Sequence, residues 1–146
     1  MPESLPTQIG WLVTLGVLAF AWFKGGQPER YGASLKVVTS AAALGAHHLL
    51  KQDSISVALL TLDGLLAVGF LALAIRYASL WIGAAMLLQA GQFSLHAWYL
   101  VGEMPRDRFY AIANNLVTIS ILLCILVGTL IAWTRRRQAA RIAQAA

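Results

Sequence analysis

The sequence predicts an all-α integral membrane protein, a bundle of about five transmembrane helices with its amino end outside and its carboxyl end inside. Three observations carry that prediction. Hydrophobic residues make up 59% of the 146-residue chain and charged residues only 12%, where soluble domains are about a quarter charged; mean hydropathy is +0.69. Five apolar runs recur, roughly over 8–23, 28–50, 55–75, 79–101 and 109–133, each near the roughly 20 residues that a helix needs to cross a hydrocarbon core. The basic residues then divide unequally between the two sides that five crossings create.

The first run, Gln8–Phe23, is the shortest. Its leader "MPESLPTQ" has no basic region, and the first Lys or Arg is Lys24, beyond the run. That order fits a retained helix with a translocated amino end rather than a signal peptide, and neither end carries a lipidation motif. Gly25 and Gly26 close the run and Pro28 opens the next, as glycine past a helix end and proline in a first turn should. The second run, Pro28–Leu50, is the least apolar, with Glu29, Arg30 and Lys36 near its start. "KQDS" and "RYAS" are short links to the third and fourth runs, Ile55–Ile75 and Ser79–Val101, so successive helices are antiparallel neighbours. Gly102 and Pro105 separate the fourth run from the fifth, Phe109–Trp133. Residues 135–146 form a basic cytoplasmic tail whose Ala, Arg and Gln favour continuation of the fifth helix. Small residues at Gly10, Thr14, Val17 and Ala21, and at Ser34, Ala41 and Gly45, are expected to let helices approach closely.

Five crossings with the tail inside place Lys24, Arg30, Lys36, Arg76, Arg135, Arg136, Arg137 and Arg141 inside and Lys51, Arg106 and Arg108 outside. Eight against three is the bias of the positive-inside rule. Trp11, Trp22, Trp81, Trp98 and Trp133 all fall near run ends, which predicts an interfacial belt. Arg135, Arg136, Arg137 and Arg141 therefore read as topology and lipid-contact residues. No aromatic residue follows Trp133, and nucleic-acid binding would need stacking aromatics on a basic face, so nucleic acid is not an expected partner. The expected location is a bacterial inner (plasma) membrane.

Polar groups inside the runs are the candidates for function. Gln89, Gln92, His96 and Tyr99 share one helical face, with Leu87, Leu88 and Leu95 expected to face lipid. His47 and His48 lie near the outer end of the second run, Asp63 within the third, and Asn114 and Asn115 early in the fifth. Antiparallel threading brings all of these to the outer half. Asp63, His96, Gln92, Gln89, Asn114 and Asn115 are the candidate ligand- or proton-handling residues. A carboxylate at mid-membrane costs roughly 2.5–3.5 kcal/mol, so Asp63 needs a partner or a proton. A histidine or Gln92 is the expected neighbour, and Lys36 is expected to snorkel to the inner surface. The bland reading of the amides is interhelical bonding, worth about 0.6 kcal/mol each. Cys124, the single cysteine, reads as a small buried hydrophobe.

No phosphate-binding loop, dinucleotide fingerprint, HExxH, CxxC or nucleophile elbow is present, and only six acids occur in the chain. The sequence thus predicts no catalysis and requires no cofactor. Three functions suit it, the first being the favoured reading and the others its alternatives. An accessory or assembly subunit of a larger membrane complex needs no chemistry and uses the polar faces and tail as contacts. An oligomeric carrier or channel for protons or a small solute would use the outer polar layer around Asp63. A redox subunit would hold haem b between His47 or His48 and His96, with room at Gly45 and Gly91; His47, His96 and Asp63 would alternatively suit zinc. The implied partners are the lipid bilayer and a membrane protein or further copies of this chain.

Overall fold

The computed structural model describes residues 5–105 and 107–145, the side chains of residues 5–11, 52 and 53 excepted. The packing of Gly10, the belt position of Trp11 and the placement of Arg106 lie outside the described residues. Among the described residues the chain is five helices and no strand: α1 (Leu5–Lys24), α2 (Gln27–Leu49), α3 (Gln52–Tyr77), α4 (Leu80–Val101) and α5 (Arg108–Ala145).

The breaks follow from local chemistry. At the α1–α2 corner the Gly25 N–H bonds Ala21 O at 2.9 Å, and a Cβ there would sit 2.3 Å from that oxygen; only glycine fits. Glu29 turns back to accept the Gly26 N–H at 2.7 Å, which supplies a partner to a donor left over at the helix start. α3 ends where Ala78 turns left-handed at φ 45°, with its N–H on Ala74 O. α5 is preceded by Asp107, whose Oδ1 accepts the Tyr110 N–H at 2.8 Å, an N-cap bond. The helix then continues for 38 residues through the arginine-rich tail without a break, about 57 Å at 1.5 Å per residue.

Short links make the helices run up and down. Each packs on its chain neighbours, α5 returns against α1, and α2 touches α5 across the middle. The α1–α2 and α3–α4 links and the basic tail lie at one end, the arginine end. The α2–α3 and α4–α5 links lie at the other, the histidine end.

The packed core occupies the arginine half: Leu18, Ala21, Ala33, Leu66, Phe70, Trp81, Ile82, Ala85, Ile121 and Ile125. Trp81 does not join an interfacial belt; it is 8% exposed. Gly32 and Gly128 make the slot that holds it, since a Cβ at either would come within 2.9 or 2.6 Å of the indole. The indole N–H needs an acceptor when buried and finds Glu29 Oε1 at 3.1 Å. Trp22 and Trp98 are exposed, whereas Trp133 is half-buried, edge-on to Phe20 with the Arg137 guanidinium 4.0 Å above its ring. Leu88 also departs from expectation. It packs against the core and Leu95 is half-buried, so of the three leucines only Leu87 is exposed.

Of the five expected spans, α3 (from Ser54) and α5 are long and apolar enough to cross a membrane by themselves. In α1 the stretch Leu12–Lys24, where side chains are described, is apolar but shorter. In α4 the hydropathy is lowered by Gln89, Gln92 and His96, and in α2 by Glu29, Arg30 and Lys36. Except for the exposed Arg30, those groups build the interior features described below.

Candidate functional site

Above the packed core, α2, α3, α4 and α5 separate around a polar cavity of about 320 Å³. Its centre is Asp63 on α3. One carboxylate oxygen, Oδ2, meets His96 Nδ1 in a very short contact. The other, Oδ1, accepts from Gln89 Nε2 at 3.0 Å. His96 Nε2 lies 3.2 Å from Asn114 Oδ1, which also accepts from Gln92 Nε2 at 2.9 Å. Three helices are thereby tied in one chain of bonds: α3 through Asp63, α4 through Gln89, Gln92 and His96, α5 through Asn114.

This arrangement fixes protons. A carbonyl oxygen accepts only, so His96 Nε2 must carry a hydrogen to bond Asn114 Oδ1. Its Nδ1 then faces Asp63 either as a lone pair on a carboxylic acid or as an N–H on a carboxylate. In both forms one proton is shared between the two groups and the pair is neutral overall. The side chains of His96 and Asp63 are 10% and 14% exposed, so the pair sits at the cavity wall rather than sealed in the core.

Lys36 completes the lining from α2. It does not snorkel to a surface; it is 8% exposed and borders the same cavity as Asp63. The reason is its helical face. Glu29, Gly32, Ala33 and Lys36 form the buried stripe of α2, and continuing that period reaches Ser40, Ala43 and His47, all on the cavity. The Lys36 ammonium makes no ion pair or hydrogen bond to another described residue, and the Asp63 carboxyl is the group that acts on it electrostatically. Gln89 Oε1 and Gln92 Oε1 are buried without a hydrogen-bond partner; Gln92 borders the cavity and Gln89 does not.

A second recess of about 230 Å³ lies towards the histidine end, bordered by Ser56, Tyr99, Glu103 and Met104. The two volumes share Leu59, His96 and Tyr110 as walls, and the His96 and Tyr110 rings stack with centroids 5.3 Å apart. These rings form the partition between recess and cavity. Tyr99 donates to Asp107 Oδ1 at 2.9 Å and tilts against Tyr110. The Tyr110 N–H and the Tyr99 hydroxyl hold the Asp107 carboxyl below the usual carboxylate range.

Of the candidates read from the sequence, Asp63, His96, Gln89, Gln92 and Asn114 come together in one network. Asn115 is exposed on the far side of α5, because adjacent helical residues point about 100° apart. His47 lines the cavity at its outer rim and His48 is exposed. Both ring nitrogens of His96 are engaged by Asp63 and Asn114, so neither is free for an axial haem bond in this arrangement. Among the described residues no cluster of three His, Cys, Asp or Glu is arranged to hold a metal ion. Arg135, Arg136, Arg137 and Arg141 are exposed along the end of α5. Lys36, Tyr110 and the Glu29–Trp81 bond were missed as interior features. The period of 3.6 running from Glu29 along α2 was the available signal for Lys36. Comparison with protein-family models, with curated proteins and with solved structures finds no match for this chain.

Proposed function

We propose that this chain is an integral protein of a bacterial inner (plasma) membrane, crossing it with N-out and C-in, and that its cavity binds protons together with a small solute as part of an oligomeric carrier or channel. The observation that carries the reading is the proton-sharing Asp63–His96 pair on the wall of a polar cavity. Ionisable groups inside a membrane are costly and mark pathways for protons or solutes. Membrane residence is supported by the surface. Leu80, Val101, Ile75 and Phe23 are at least three-quarters exposed, and only 11% of the α3 span is buried, too little for the core helix of a soluble protein. Lipid satisfies that surface where water does not. The positive-inside bias orients the histidine end outward.

In this conformation the cavity has a recess above it and the Trp81 layer below. Passage therefore requires the arginine half to part, the alternating-access behaviour of carriers. The test is proton uptake into proteoliposomes carrying a lumenal pH dye, after an outside acid pulse with and without small organic acids. Wild type should acidify the lumen faster than protein-free vesicles, and Asp63→Asn should fall to the protein-free rate. Wild type indistinguishable from protein-free vesicles in both conditions would defeat the reading.

A second reading, an accessory subunit, is favoured by the end of α5. Residues 134–145 are all exposed on a helix longer than a bilayer requires. A stoichiometric partner that copurifies with the full chain in mild detergent, and is lost when residues 135–146 are removed, would support it.

A further inference from the structure

The geometry points to Lys36 as a built-in counter-cation for Asp63, one that takes up the carboxylate when the Asp63–His96 pair gives up its proton. The inference rests on the cavity being a proton site and names the residue that makes release from it feasible. Charge comes first. With its one shared proton the pair is neutral, so the ammonium beside it meets a dipole rather than a net charge. When that proton passes to solvent in the cavity, His96 stays neutral through its Nε2 hydrogen and Asp63 becomes a full anion. A carboxylate bared in the protein interior is strongly disfavoured unless a cation meets it. Among the described residues on the cavity lining, Lys36 alone is a lysine or arginine, and the Asp63 carboxyl already acts on it electrostatically.

Geometry sets the direction of the exchange. Without the shared proton, His96 Nδ1 presents a lone pair to Asp63 Oδ2, and two acceptors repel, so the contact opens. Asn114 still holds Nε2 and Gln89 still holds the other carboxylate oxygen, which leaves Oδ2 as the atom to be taken up. Lys36 approaches from α2 on a flexible four-carbon stem whose ammonium has three rotatable donors. It has no ion pair or hydrogen bond to another described residue to surrender first. The other titratable groups around the pair are His47 of α2, Tyr99 of α4, Tyr110 of α5 and Glu103 in the link after α4. Tyr110 is stacked on His96, Tyr99 is bonded to Asp107, and Glu103 is exposed and of the wrong sign; His47 stands at the rim. Counted over Lys36, Asp63 and His96, the loaded site carries one positive charge and the empty site none. In the carrier reading, a negative-inside potential therefore pulls the loaded form inward and leaves the return of the empty form alone.

The experiment is nitrogen-15 NMR of the purified full chain in mild detergent, labelled at histidine and lysine. His47→Gln and His48→Gln form the background, so that His96 is the one imidazole and His47 is removed as a source of the effect. The pH is raised from about 4 to about 10, the span between a free carboxyl and a free lysine. The His96 Nδ1 signal should move to that of a bare ring nitrogen, and the Lys36 ammonium signal, assigned by its loss in Lys36→Arg, should shift at the same pH. Lys36→Met should keep the proton on the pair to a pH about one unit higher or more, a tenfold tighter grip, the low end of what a neighbouring charge does. Lys36→Arg, which keeps the charge, should titrate with its parent. A Lys36 signal that stays unmoved through the His96 transition overturns the inference without recourse to any Lys36 variant's fold. So does Lys36→Met titrating with its parent, or an Nδ1 signal that never changes over this range. The two readings fail separately. A coupled transition in a protein that moves no protons sinks only the carrier, and proton uptake with an uncoupled transition sinks only the role of Lys36.

Discussion

The two halves of this bundle solve opposite problems with the same five helices. In the arginine half, Trp81 fills a slot between Gly32 and Gly128, and Phe70, Ile82, Ile121 and Ile125 are fully buried around it. Its one polar contact is complete, an indole N–H on Glu29. In the histidine half the helices spread around a cavity lined by Lys36 and Asp63, and the amide oxygens of Gln89 and Gln92 lack a donor. Close packing and satisfied polar groups make a layer hard to open; space and unsatisfied groups make a layer able to accept something. The contrast separates the part that holds the fold from the part available for function.

That contrast predicts unequal consequences for mutations of similar size. Trp81→Ala should be the most damaging, lowering stability by about 3–5 kcal/mol, as large core truncations do; thermal unfolding followed by circular dichroism in detergent reads it. Gly128→Ala should cost about 1–3 kcal/mol through overpacking, because the new Cβ would lie 2.6 Å from the indole. If Gly128→Ala unfolds like wild type, the closed layer is looser than described. In the cavity half, Asn114→Leu should cost about 1 kcal/mol, the scale of the bonds it removes from Gln92 and His96. Asn115→Leu, one residue along but exposed, should stay within about 0.5 kcal/mol of wild type; equal effects would erase the distinction between the two asparagines.

The smallest effect belongs to the rim. Asp107 caps α5, and its carboxyl lies below the usual range because the Tyr110 N–H and Tyr99 hydroxyl bond it. A depressed carboxyl stabilises the fold at pH values above its unfolded pKa, about 3.9, and loses that contribution as pH falls through its folded value. Asp107→Ala should therefore destabilise slightly at neutral pH, and the gap from wild type should close below about pH 4. A gap that persists unchanged at low pH would show that the charge plays no part.

The comparison also explains what was legible in the sequence. Helix number and order were readable because glycine, proline and short polar links punctuate apolar runs at Gly25–Pro28 and Gly102–Pro105. The α4 face of Gln89, Gln92 and His96 was readable from spacing alone, since one helix fixes which of its residues share a side. What the spacing within one helix cannot give is the rotation of that helix against its neighbours. Trp81 looked interfacial by position, yet glycines 49 residues before it and 47 after make its slot. Lys36 looked able to snorkel, yet the stripe it shares with Glu29 turns it into the bundle. Asn114 and Asn115 differ only in rotation, and contacts with α4 decide which one joins the network.

On the proposed orientation the cavity is reached from the outer, histidine side and the Trp81 layer closes it from the inner side. Labelling of single-cysteine variants by a membrane-impermeant maleimide tests it most directly, with Cys124→Ser as background. Ala43 borders the cavity and Ala85 is fully buried in the packed layer. In right-side-out vesicles the Ala43→Cys variant should be labelled, and in inverted vesicles it should not; the Ala85→Cys variant should resist the reagent in both. Labelling of Ala43→Cys only in inverted vesicles would reverse the orientation, and labelling of Ala85→Cys would contradict the closed layer itself.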